Sequence, residues 1–166
     1  MSGQVLVSVE AGYGSYFGDD FSGQEPGFTG GGSLLLPAGQ KVRVGVGLDY
    51  STYGTGILDE GRTQVDINAI GRYALTEAGR FFVGGKLGFS HQSASILDVP
   101  SSSSGIGVGP VLGVNLPLAS VHWTVSAEAI WQRFGDAKLS GETVPETGQD
   151  GLRWILRVGL GVPFGG

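Results

Sequence analysis

The stretch Gly151-Leu152-Arg153-Trp154-Ile155-Leu156-Arg157-Val158-Gly159-Leu160-Gly161-Val162-Pro163-Phe164 decides how this chain is read. Leu152, Trp154, Leu156, Val158, Leu160, Val162 and Phe164 take every second position without a polar interruption, and Arg153 and Arg157 fall between them. A period of two belongs to a β-strand, whose successive side chains point to opposite faces. The same rule extracts Val5, Val7, Val9, Ala11 and Tyr13; Val42, Val44, Val46, Leu48 and Tyr50; Phe81, Val83, Gly85, Leu87 and Phe89; and Val121, Trp123, Val125, Ala127, Ala129 and Trp131. None of these positions carries a charge. One face of every such strand is therefore apolar over its whole length.

Extended outward, the pattern predicts eight strands near Gln4–Tyr16, Gly27–Pro37, Lys41–Tyr53, Thr63–Leu75, Arg80–Ser90, Gly105–Leu116, Val121–Gln132 and Gly151–Phe164. Three connections are short: Ala38-Gly39-Gln40, Thr76-Glu77-Ala78-Gly79 and Pro117–Ser120. Four are longer and polar: Phe17–Pro26, Gly54–Arg62, His91–Ser104 and Arg133–Asp150, with Ser101–Ser104 read as a low-complexity loop tip. An even number of strands with tight turns at one end and long loops at the other predicts an all-β fold, an eight-stranded antiparallel up-and-down barrel. The 166 residues are read as one domain, 1–166.

Composition narrows the solvent. Only 15% of residues are charged, against roughly 25% in ordinary soluble domains, and 32 are glycine. The net charge of −5, with no basic cluster, argues against nucleic acid as a partner. There is no cysteine, hence neither a disulfide framework nor a thiolate metal site. No apolar run approaches the ~18 residues of a spanning helix. Met1-Ser2-Gly3 leads straight into a patterned strand without a basic or apolar leader, so export is inferred from the barrel.

The alternate face carries Glu10, Lys41, Arg43, Asp49, Asp66, Arg72, Lys86, Glu128, Arg153 and Arg157, separated by glycine and serine. Such a face makes a poor water-facing surface but suits a narrow lumen, which eight strands leave just wide enough for side chains to fill. Each base turned to lipid near the midplane costs ~2–4 kcal/mol, so the charges are expected inside. There they need partners, and the expected network joins Glu10 or Glu128 with Arg43, Arg72, Arg153 or Arg157 and plugs the lumen. The aromatics of the apolar face fall into two belts: Tyr13, Phe28, Tyr50, Phe89, Trp131 and Trp154 toward the long loops, and Tyr73, Phe81, Trp123 and Phe164 toward the short turns. Two girdles about an apolar band mark the two interfaces of a membrane.

On these residues the whole chain resembles the small bacterial outer-membrane barrels, the family of the OmpA membrane domain, OmpX and the opacity-type proteins. Arg157-Val158-Gly159-Leu160-Gly161-Val162-Pro163-Phe164 is similar to the C-terminal signal that the barrel-assembly machinery reads, although Gly165 and Gly166 follow the aromatic here. The resemblance implies a Gram-negative outer membrane and insertion by that machinery; the layout of short turns and long loops puts both termini on the periplasmic side, and the expected partners are lipid and lipopolysaccharide around a monomer. It implies roles from envelope integrity to adhesion without selecting one.

Few residues point to chemistry. Gly45-Val46-Gly47 and Gly105-Ile106-Gly107-Val108-Gly109 do not complete a phosphate loop at a strand-to-helix junction. His122 is expected inside the barrel near the periplasmic end, without a catalytic role. His91 and Ser93 continue the outward face of the fifth strand, and a His-x-Ser pair there resembles the catalytic pair of lipid A deacylase barrels. A Ser–His nucleophile also needs an orienting carboxylate, and none is assignable; the family motif's following Asn is Ala94 here. The plainer reading, two polar residues opening a loop, is preferred. The long loops hold Asp19, Asp20, Glu25, Asp59, Glu60, Asp98, Asp136, Glu142, Glu146 and Asp150 against Arg62, Arg133 and Lys138, with no spacing of a calcium loop. No cofactor and no metal are expected. The leading function is a plugged, surface-anchoring barrel without enzyme activity. The rivals are a narrow porin-like channel, a deacylase-like lipid A enzyme, and a soluble lipocalin-like barrel with its apolar set turned inward.

Overall fold

The computed structural model describes residues 4–55, 61–76, 78–96, 99–118 and 120–164. Asp59, Glu60 and Asp98 of the acidic set, Glu77 and Ala119 of the short turns, and the final Gly165-Gly166 lie outside the described residues.

The barrel strands are β1 (Val5–Phe17), β2 (Gln24–Pro37), β3 (Val42–Thr55), β4 (Arg62–Ala74), β5 (Phe81–Ile96), β6 (Val99–Leu118), β7 (Val121–Phe134) and β10 (Gln149–Phe164). Two short strands, β8 (Lys138–Leu139) and β9 (Glu142–Thr143), stand in the last connection. Each barrel strand pairs antiparallel with its sequence neighbour. β1 pairs with β10 from Val5↔Phe164 to Phe17↔Leu152, and this joins the ends of the sheet into a closed barrel. Closure leaves no long edge to template aggregation.

The apolar set faces outward. Val9 is 64% exposed, Leu48 56%, Phe28 70% and Leu156 58%, whereas Arg153 and Arg157 are each 2% exposed. The inverted, lipocalin-like arrangement is not the one this chain adopts. An apolar surface running around the whole barrel far exceeds the few hundred Å² that a soluble monomer leaves open to water. Along β7 the outward face from Val121 to Trp131 spans ten residue steps. At ~3.4 Å per residue and a tilt of ~40° this is about 26 Å, the height of the apolar band of an outer-membrane barrel.

Both aromatic belts lie on this outer surface. Tyr13 meets Phe28 at 5.2 Å and Trp154 at 6.4 Å, each edge to face. Trp154 is half-buried by this packing, while Tyr50, Phe89 and Trp131 are exposed. Toward the short turns Tyr73, Phe81, Trp123 and Phe164 are all exposed. Phe17, read from sequence as the start of a loop, closes β1 and is 61% exposed in the belt at the loop end.

Three of the long connections carry more structure than their composition indicates. Of His91–Ser104, residues 91–96 and 99–104 are strand: β5 and β6 stay paired through Ser93↔Ser102 to Ile96↔Val99, which includes the Ser101–Ser104 run. Serine is a weak strand former, but the ladder supplies its backbone partners, and the inward Ser103 hydroxyl meets Gln92 Nε2 at 2.6 Å. Phe17–Pro26 holds a turn of 3₁₀ helix (Asp19–Phe21) that tucks Phe21 inward. Arg133–Asp150 holds the β8–β9 hairpin, and β8 pairs with β6 at Ser101↔Leu139 and Ser102↔Lys138.

Inward glycines set how tightly neighbouring strands coil. A Cβ on Gly45 would stand 1.8 Å from the Leu34 carbonyl oxygen, whereas one on the outward Gly71 would meet nothing within 4 Å. Gly45→Ala is therefore expected to lose about 1–3 kcal/mol in urea unfolding in detergent, and Gly71→Ala to stay within ~0.5 kcal/mol. Equal losses would show that strand spacing does not depend on the inward glycine.

Candidate functional site: the barrel lumen

The outward-in alternation sends every second residue of each strand into a narrow interior, where three polar layers stack along the axis. In the layer nearest the short turns, Arg72 Nη2 lies 3.1 Å from Glu10 Oε1. Ser8 donates to the same oxygen at 3.3 Å and meets Ser33 at 2.7 Å.

The central layer is built on Arg157. Its Nη1 and Nη2 donate to the two oxygens of Asp49 at 2.8 and 3.0 Å, a two-pronged geometry that suits a planar guanidinium. Its Nε lies 2.9 Å from Glu128 Oε1. Lys86 bridges the same two carboxylates, 2.7 Å from Glu128 and 3.5 Å from Asp49. Asn68 Nδ2 donates to Asp49 at 3.1 Å.

In the layer toward the loops, Arg153 Nη1 donates to Asp66 Oδ2 at 2.8 Å, and Gln64 donates to Asp66 Oδ1 at 2.7 Å. Ser90 also donates to Asp66, and Gln132 Nε2 donates to Ser90 at 2.7 Å. The Tyr16 hydroxyl sits between the Gln64 and Gln132 amides.

Among the described residues the fully buried charges are the acids Glu10, Asp49, Asp66 and Glu128 and the bases Arg72, Lys86, Arg153 and Arg157, four of each sign. The fully buried ionic set is thus neutral overall. Arg43, placed from sequence in this network, is not joined to it. Its register sets it opposite Arg72, and this like charge and its position at the short-turn mouth keep it half-buried without an ion pair among the described residues. It lines a small recess there with Lys41, Asn115 and His122.

Apolar plugs close both ends of the ionic layers, and sequence reasoning assigned neither. At the loop end Tyr16 stacks on Phe21 at 4.2 Å and meets Tyr53 at 5.4 Å, and Phe21 meets Phe134 at 6.3 Å. At the other end Leu6, Leu35 and Ile70 pack together, and the Arg72 guanidinium lies 4.8 Å over the Phe82 ring. The signal was present where the alternation breaks into consecutive apolar residues, in Leu34-Leu35-Leu36 and Phe81-Phe82. Apolar ends lower the effective dielectric around the ionic layers, which strengthens each pairing and raises the cost of losing one.

His91 and Ser93 project outward above Phe89. His91 Nδ1 meets Ser104 Oγ at 2.9 Å, and Ser93 Oγ lies 3.5 Å from Nε2. The group that orients the imidazole is a hydroxyl from the paired strand, and no carboxylate joins it among the described residues. A hydroxyl does not stabilise an imidazolium as a carboxylate does, so this arrangement is a weak activator of Ser93.

No protein-family model and no curated protein matches the chain in sequence. Solved structures match in fold. Neisserial surface protein A superposes with a TM-score of 0.67 at 18% identity, over 96% of this chain and 97% of its own. The attachment invasion locus protein of Yersinia pestis gives 0.61 at 17%, over 99% and 100%. The outer membrane protein OprG of Pseudomonas aeruginosa gives 0.53 at 11%, over 99% and 97%. In fold this chain is similar, over nearly its whole length, to small outer-membrane β-barrels.

Proposed function

We propose that the chain is an integral protein of a bacterial outer membrane, a barrel closed to solutes that anchors structured acidic loops at the cell surface and catalyses no reaction. One observation carries the reading: an uninterrupted apolar band with aromatic girdles faces outward, while eight buried charges neutralise one another inside. Only lipid makes that arrangement favourable, because water would face the apolar set. The ionic layers and the two apolar plugs support a barrel without a water path. The loop end carries Asp19, Asp20, Glu25, Asp136, Glu142, Glu146 and Asp150 on an extended hairpin and its neighbours, a surface built to be presented. The name of the attachment invasion locus protein ties one barrel of this fold to attachment, and it supports contact with another surface as the role of these loops. Both termini and the short turns then lie in the periplasm, and the barrel-assembly machinery inserts the chain as a monomer among lipid and lipopolysaccharide.

The absence of native cysteine makes single-cysteine labelling decisive. A membrane-impermeant maleimide is expected to label Glu142→Cys on intact cells and Gln40→Cys only after lysis. The reverse pattern would invert the orientation, and labelling of both only after lysis would refute surface exposure. Single-channel recording is expected to show no stable open state; a reproducible conductance would make the barrel a channel.

A further inference from the structure

We propose that the loop end of the barrel holds a binding site for a single pyranose sugar ring. Where the β5–β6 hairpin rises past the rim and β8 joins it, the two hairpins enclose a cavity of about 220 Å³. Its lining includes the apolar Leu139 and Val144 from the last connection and the polar Arg62, Gln92, Ser103 and Gln149 from the barrel strands. A pyranose has the same division, an apolar C–H face and an edge of hydroxyls. Concave sites that combine apolar lining with a few placed polar groups are the usual form of small-molecule sites.

The polar wall has one unmet acceptor. Gln149 Nε2 donates to the Asp20 carbonyl at 3.2 Å, which turns Gln149 Oε1 toward Gln92. Gln92 Nε2 donates to that oxygen at 3.1 Å and to Ser103 Oγ at 2.6 Å. The amide orientation of Gln92 is thereby fixed, and its Oε1, on a residue only 4% exposed, is buried with no donor among the described residues. A buried acceptor left without a donor is destabilising, and a hydroxyl of a sugar entering beside Gln92 would supply one. Beside it the Arg62 guanidinium, 5.5 Å over the Phe21 ring and bonded to Gln24 Oε1 at 3.1 Å, offers further donors to ring or carboxylate oxygens.

The apolar wall is braced before any ligand arrives. Asp136 Oδ1 accepts from the Thr147 and Gly148 amides at 3.2 and 3.1 Å, Thr147 Oγ1 donates to the Val144 carbonyl at 2.6 Å, and the Ser140 amide donates to the Pro100 carbonyl at 3.0 Å. A preformed wall lowers the ordering cost of binding.

The test is saturation-transfer NMR on the detergent-folded protein with the methyl glycosides of glucose, galactose, mannose, N-acetylglucosamine and glucuronic acid, and with the open-chain alditol sorbitol as control. At least one glycoside is expected to receive saturation while sorbitol does not, and a preference for the glucuronide would assign Arg62 to its carboxylate. Gln92→Leu is expected to weaken that binding roughly tenfold, equivalent to about 1.4 kcal/mol. Val144→Trp, which fills the cavity from the loop side and leaves the barrel strands untouched, is expected to abolish it. The heat-sensitive gel shift of each variant reports that the barrel has folded. No transfer to any glycoside, or transfer unchanged in Val144→Trp, overturns the site. Either result leaves the membrane reading intact, because surface labelling tests that reading separately.

Discussion

Replacing Arg157 by leucine is expected to lower the unfolding free energy by about 3–5 kcal/mol, the range for losing one partner of a buried ion pair. Arg157 holds both Asp49 and Glu128, and once it is gone Lys86 is their remaining ion-pair partner among the described residues. Two carboxylates would then share one cation in an interior closed at both ends by apolar side chains. Adding Asp49→Leu leaves Glu128 with Lys86, a neutral pair, and is expected to recover most of the loss. Urea unfolding in detergent micelles, followed by circular dichroism, reads both variants. A double variant no more stable than Arg157→Leu would show that the loss comes from packing and not from an unbalanced charge.

Val158→Arg is the second large effect, and it probes the opposite face. Val158 lies midway along β10 between Leu152 and Phe164, outward and 49% exposed. If that exposure is to hydrocarbon, an arginine there costs ~2–4 kcal/mol. In water the same substitution falls within the ±0.5 kcal/mol typical of surface sites. Refolding into phosphatidylcholine vesicles is therefore expected to lose yield and stability in the variant, and a change within ±0.5 kcal/mol would remove the lipid-facing assignment. Both losses have one cause. A charge placed inside is tolerated when paired, and a charge placed outside has nothing with which to pair.

The alternation of Leu152 to Phe164, repeated in the other strands, determined by itself that the chain is a β-barrel and which residues share a face. A period of two needs no knowledge of neighbours, because the pleat alone sends successive side chains to opposite sides. Which charges meet was not legible. Glu10 finds Arg72, 62 residues away, and Asp49 finds Arg157, 108 residues away, because strand register and stagger set their depth in the lumen. Arg43 lies on the same face as these bases, yet its depth leaves it beyond every buried carboxylate among the described residues. The structure in the long connections also depended on tertiary pairing. Ser101–Ser104 has the composition of a loop, and it is strand because β5 pairs with all four serines and β8 with Ser101 and Ser102 on the other side. Local sequence thus determined which side chains share a face, by sterics within one strand. The closed sheet fixed which side chains touch, since those distances belong to strands brought together only when the barrel shuts.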